Sequence, residues 1–63
     1  MAYNFLIVDD SAIIRAMVEK TLRLSGVEVG EVYKVANGSE AIRQMEGAWV
    51  DIVLADINMP EMN

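Results

Sequence analysis

From Phe5 the chain runs apolar through Val8, "FLIV", and then meets two acids, Asp9 and Asp10. An unbroken apolar run of this length, without alternation, is the pattern of a strand covered on both faces in a parallel sheet, and it predicts a strand over about 4–8. The next segment, "SAIIRAMVEKTLRLSG", changes period. Ser11 suits a helix N-cap, Ile14, Met17, Val18 and Leu22 recur at helical spacing, and Gly26 is a stop, which predicts a helix over about 12–25. "EVYKV" returns to strand-favouring residues over about 31–35. "NGSEAIRQMEG" opens on turn residues, puts Ala41, Ile42 and Met45 on one helical face and ends at Gly47, predicting a helix over about 38–46. "VDIVLAD" supplies a third strand over about 50–55 that runs into Asp56. Strand, helix, strand, helix, strand with such short connections implies right-handed crossovers and a doubly wound α/β unit.

That fold class directs attention to one rim, because open parallel sheets hold their ligands beyond the carboxyl ends of the strands. Here those ends are acidic: the first strand closes on Asp9 and Asp10 and the third on Asp56. If the two strands are neighbours, three carboxylates meet. Gathered carboxylates repel one another and one is pushed toward protonation unless a cation sits among them. The chain has no Cys and no His, so any metal must take oxygen ligands. Mg²⁺, or Mn²⁺, is the expected ion, held by one or two carboxylates and a backbone carbonyl, with Asn58 placed to offer its main-chain oxygen. A carboxylate held beside such an ion can attack phosphorus and form an acyl phosphate; Asp56 is the candidate nucleophile. Against this stands the ordinary structural use of Asp at strand ends, where it caps turns and helices. The constellation, rather than any one acid, carries the functional reading.

Composition narrows the classes further. With 63 residues there is room for at most one small domain of low intrinsic stability, and neither disulfides nor thiolate metal sites are available to staple it. A hydrophobic content of 54% argues against disorder. A formal charge of −5 argues against binding nucleic acid through its phosphates. The apolar run at the start is far too short to span a bilayer and has no basic flank, so no membrane or targeting segment is expected, and an acidic, cysteine-free chain suits the cytoplasm.

With "FLIVDDS", "ANGSEA" and "DINMPEMN" in this order, the sequence resembles the receiver domain of two-component response regulators, the flavodoxin-like domain of the chemotaxis response regulator. The resemblance implies strand order 2-1-3 for the residues present, out of 2-1-3-4-5 in the family. It implies that Asp56 is the phosphoacceptor, Asp10 a direct metal ligand, Asp9 its acidic partner, and Asn58 the source of a carbonyl oxygen to the metal, with Met59 and Pro60 in the turn that follows. Ser11 and the Ile13, Ile14 pair match the first helix, whose outer face in this family helps dock the histidine kinase or phosphotransfer partner. The family's domain has five strands and five helices, so residues 1–63 are expected to be its amino-terminal half, without the hydroxyl residue, lysine and switch aromatic that follow strands four and five. Neither Lys20 nor Lys34 stands where that lysine belongs. An incomplete site of this kind is expected to bind Mg²⁺ weakly and to phosphorylate poorly.

Two other readings are open. Self-association without chemistry is expected if Ile52, Val53 and Leu54 form an unpaired apolar edge over 50–55, either by strand pairing or by exchange of elements between copies. An aspartyl-nucleophile, Mg²⁺-dependent phosphohydrolase of the haloacid dehalogenase type is disfavoured, since such enzymes want a second acid two residues after the nucleophile and Asn58 is there. Met17, Met45, Met59 and Met62 are expected as core or turn fillers rather than soft-metal ligands. Trp49 is expected as a half-buried anchor ahead of the third strand, Glu19 and Arg23 as an i,i+4 surface pair, and Tyr33 without a signalling role.

Overall fold

The computed structural model describes residues 1–55. Asp56, Asn58, Met59, Pro60 and Met62 lie outside the described residues, and so do the expectations that fall on them. The elements are β1 (Tyr3–Val8), α1 (Ala12–Leu24), β2 (Val29–Val35), α2 (Gly38–Gly47) and β3 (Ile52–Ala55). All three strands are parallel in the order β2-β1-β3, which is the order the resemblance implied.

β1 is central, and its sequence explains why. Phe5, Leu6, Ile7 and Val8 are all buried, so each face of the strand meets cover, and only an unbroken apolar run satisfies that position. Leu6 and Val8 point to one face and join Val35 and Ala41 in the core, with Tyr33 and Val50 packed against them. Ile7 lies on the face where Val18 of α1 and Leu54 of β3 line a cleft. Both helices lean on β1 and β2 rather than on β3. Burying side chains such as Leu6 and Ile7 contributes about 1.5–3 kcal/mol each, the main favourable term in so small a core.

The helices begin and end where their caps dictate. Ser11 Oγ accepts from the Ile14 amide at 3.2 Å and caps α1. Its carboxyl end closes with the Ser25 amide donating to the Leu22 carbonyl, followed by Gly26 at φ +89°, where a Cβ would be strained. α2 is capped by Asn37, whose Oδ1 accepts from the Glu40 amide at 2.9 Å, while Glu40 Oε1 accepts from the Ala36 amide at 2.9 Å. This reciprocal pair is a variant of the capping box, reached one residue further back.

Several expectations about packing are corrected. No residue of α1 is fully buried; Ile14 and Met17 are exposed and Val18 and Leu22 half-buried, lining an open groove toward Leu54. α2 rests on the sheet through Ala41, with Gln44 half-buried one turn on, and Ile42 is 61% exposed. The apolar residues of "EAIRQMEG" span too wide an arc for all of them to face β1, and the smallest sits at the contact. Met45 is likewise exposed, so neither it nor Met17 fills a core gap. Trp49 is 76% exposed, its Nε1 donating to Asp51 Oδ1 at 2.9 Å, so it anchors nothing in the core. β2 starts at Val29, two residues before the sequence pattern placed it, because Tyr3 pairs with Val29 and extends the ladder back past Gly30. Glu19 and Arg23 do pair, at 2.9 Å, but Glu19 also accepts from Lys34 of β2 at 2.7 Å, which ties α1 to the sheet. The Lys34 and Arg23 hydrogen bonds, in that order of weight, hold the Glu19 carboxyl below its ordinary value.

The amino end of the sheet is closed by one residue. Asn4 donates its amide to Asp51 Oδ2 at 2.8 Å and its carbonyl accepts from the Asp51 amide at 2.9 Å. Its side chain accepts from the Glu31 amide at 2.9 Å and donates to the Trp49 carbonyl at 3.1 Å. Asn4 thereby bridges β2 and the approach to β3 at the point where the β1–β2 register shifts, between Tyr3 and Phe5. A Cβ at Gly30 would run into the Asn4 side-chain oxygen, so a larger residue there would displace that oxygen from the Glu31 amide.

Candidate functional site

At the opposite end of β1 the chain passes from Val8 directly into Asp9 and Asp10. β1 and β3 are hydrogen-bonded neighbours in register, Val8 beside Ala55, so their carboxyl ends are level. This adjacency is the geometric condition for the acidic rim.

Asp9 is 8% exposed and heavily constrained. Its amide donates to the Val35 carbonyl at 3.1 Å, the last rung of the β1–β2 ladder. Its Oδ1 accepts from the Ser11 amide at 2.9 Å, an Asx turn that swings the chain from the strand into α1. Its carbonyl accepts from Arg15 Nη1 at 2.6 Å. Asp10, by contrast, is exposed and makes no hydrogen bond among the described residues. The two acids therefore divide their tasks. Asp9 holds the strand-to-helix corner with one carboxylate oxygen and keeps the other; Asp10 keeps both.

The surroundings act on charge in opposite ways. The amino end of α1 starts at Ala12, with only Ser11 between it and the acids, and its dipole favours the negative carboxylates but opposes a cation, so an ion there must be held by the carboxylates themselves. Below Asp9 a cleft of about 240 Å³ is lined by Ile7, Val8, Val18, Leu54 and Ala55, apolar walls that weaken the screening of charge at the rim. The donor set is oxygen only, with unused carboxylate oxygens on both acids, which fits a hard divalent ion such as Mg²⁺. No group of three acidic side chains forms among the described residues; the third acid in the sequence, Asp56, follows Ala55.

Of the sequence-derived site residues, the structure brings Asp9 and Asp10 to one rim, while Asp56 and Asn58 lie outside the described residues. Sequence reasoning missed Arg15. The signal was available: a cation on the fourth residue of a helix opposes the dipole, and a residue placed against its local preference usually has a specific partner.

Comparison with known proteins agrees with the geometry. The family model for the response regulator receiver domain matches residues 5–63. The chain is 41% identical over all 63 residues to the chemotaxis protein CheY of Bacillus subtilis, and 41% identical over the same length to CheY of Thermotoga maritima, covering 51% of each. It is 43% identical over 58 residues to a protein-glutamate methylesterase/protein-glutamine glutaminase of Archaeoglobus fulgidus, covering 92% of this chain and 16% of that protein. The chain thus spans about half the length of the CheY proteins it matches. No solved structure matches it significantly. No helix among the described residues is long and apolar enough to cross a membrane. With a matching family model over nearly its whole length and the β2-β1-β3 sheet that this family's residues require, the chain belongs to the response regulator receiver domain family.

Proposed function

We propose that this chain is the receiver segment of a two-component phosphorelay, in which Asp56 accepts a phosphoryl group from a phosphohistidine of a kinase or phosphotransfer protein. A carboxylate oxygen of Asp56 forms the new bond to phosphorus as the nitrogen–phosphorus bond breaks, the electron pair returning to the imidazole and an acyl phosphate remaining on Asp56. Asp9, Asp10, Asp56 and the main-chain carbonyl of Asn58 would hold Mg²⁺ or Mn²⁺. When bound, the ion neutralises charge on the transferring phosphoryl oxygens. Asp9 sets the corner that presents Asp10, and the α1 amino end tolerates the accumulated negative charge. The chain itself is read as a cytoplasmic signalling module and not as an enzyme.

The observation that carries this reading is the side-by-side register of β1 and β3, which levels the strand ends that lead into the acids. Acetyl phosphate or beryllofluoride with Mg²⁺, followed by mass spectrometry, tests it. A modification that maps to Asp56 and vanishes in Asp56→Asn is the expected result; modification elsewhere, or turnover of acetyl phosphate without a trapped adduct, would count against it.

One observation favours a second activity, association between copies. β3 is an edge strand in the described sheet, with Ile52 38% and Val53 45% exposed. Such an edge is a template for strand pairing or for exchange of elements between chains. Light scattering on the eluting protein should give a mass above that of one chain; a well-folded monomer at all concentrations would refute the association.

A further inference from the structure

The contact between Arg15 and the Asp9 carbonyl has no place in the phosphoryl chemistry and none in helix stability. A guanidinium on the first turns of α1 faces the positive end of the helix dipole, so its position is unfavourable unless something else holds it. What holds it is a single short hydrogen bond, 2.6 Å from Nη1 to the Asp9 carbonyl, made by a half-buried side chain. Among the described residues Arg15 forms no ion pair, although Asp9 and Asp10 are both close along the chain, so its contact is with the backbone oxygen.

The consequence follows from the geometry of the peptide unit. The Asp9 carbonyl and the Asp10 amide share one plane, so a group that fixes the direction of that oxygen also fixes the direction in which the Asp10 Cα departs. On the other side of Asp10, the Ser11 amide is tied to Asp9 Oδ1 at 2.9 Å. Asp10 itself is exposed and has no hydrogen bond of its own among the described residues, so its aim depends on these two restraints. We propose that Arg15 is a positioning residue for the acidic pair: by holding the Asp9 carbonyl it sets the orientation of the Asp10 carboxylate toward a divalent cation. This rests on the metal reading given above and deepens it, because it names a cation of the chain that aids a cation site.

Arg15 has two effects on Mg²⁺ of opposite sign. Its charge repels the ion, and its hydrogen bond orients the ligands; the proposal is that orientation wins. The test is a series of the full chain with Arg15→Met, which removes donor and charge, and Arg15→Lys, which keeps the charge and a shorter donor. Mg²⁺ titrations are followed by the amide resonances of Asp10 and Ser11, and the metal-free proteins are compared by the Asp9 carbonyl ¹³C shift. For Arg15→Met the Asp9 carbonyl resonance should move and Mg²⁺ affinity should fall roughly 10-fold, the lower end of what losing a residue that orients a ligand costs a metal site, with partial recovery in Arg15→Lys. A rise in affinity for Arg15→Met would show that charge dominates and would overturn the proposal. An unchanged affinity with only a lower melting temperature would overturn it as well, by leaving Arg15 a purely structural role. If the unsubstituted chain gives no Mg²⁺ response at Asp10, the metal reading fails by itself. The metal-free shifts then decide alone: an Asp9 change that carries into the Asp10 resonances sustains the positioning of the pair, and one confined to Asp9, or absent, refutes it.

Discussion

The two ends of β1 are both polar, and they are built on opposite plans. At the amino end Asn4 uses its backbone and side-chain donors and acceptors on Asp51, Glu31 and Trp49, and at the carboxyl end Asp9 and Asp10 keep acceptor oxygens that nothing among the described residues engages. A side-chain amide hydrogen-bonded through both its oxygen and its nitrogen is held in place and chemically quiet. Unengaged carboxylates beside one another are electrostatically unfavourable to the fold, and such groups are retained where something external completes them. One end of the strand stabilises the register and the other is held ready by it.

The largest expected effect removes the distinction altogether. Leu6→Ala takes out a fully buried side chain shared by both ends and should cost about 2–5 kcal/mol, enough to unfold much of so small a domain, as read by thermal or urea denaturation. A smaller change separates the ends. Asn4→Ala should cost about 1–2 kcal/mol by leaving the Glu31 amide and the Trp49 carbonyl without their side-chain partner, and hydrogen exchange should speed up at Glu31 first. Asp10→Ala, at the other end, should change stability by no more than about 0.5 kcal/mol while abolishing the Mg²⁺-dependent shift at Ser11. If Asp10→Ala destabilises as much as Asn4→Ala does, the contrast between the ends is wrong.

The smallest effect is a pH dependence. Asp51 is held below its ordinary value by the Asn4 amide and then by the Trp49 indole, and Glu19 by Lys34 and Arg23. A carboxyl whose folded pKa is depressed binds protons more weakly in the native state than in the unfolded one. Its contribution is therefore complete at neutral pH and is lost as pH falls through the ordinary carboxylate range to the lower folded value. Both groups are solvent-accessible, so the loss should be modest and reduced by salt. Denaturation midpoints measured from neutral pH downward should fall gently, and somewhat less so in Trp49→Phe, where the indole that donates to Asp51 is gone while the Asn4 backbone donor stays.

Much of this was legible along the chain. The unbroken "FLIV" run marked the central strand because burial on both faces leaves no room for polar alternation. Ser11, Gly26 and Asn37 marked helix ends because their side chains, or the lack of one, meet a local requirement within three residues. The acids were visible because they interrupt apolar strands. Less visible were contacts across 27 or 47 residues, such as Asn4 with Glu31 and Asp51, since no local period announces them. Gly30, which the predicted span of 31–35 left outside the second strand, lies within it, beside the Asn4 side chain. Ile42 was placed inward by its helical spacing with Ala41 and Met45, and Trp49 was expected half-buried ahead of the third strand, yet both are exposed because the sheet offers no surface at those positions.

The order of elements, the caps and the acidic strand ends were determined by the sequence, since each depends on neighbours a few residues away and on preferences that every residue carries with it. Which side chains are covered, which acid is anchored and which left open, and that Arg15 reaches the Asp9 carbonyl were decided by tertiary structure. Those outcomes depend on which distant segment arrives at a given surface, and only the closed sheet, with α1 crossing behind it, settles which groups are within hydrogen-bond reach.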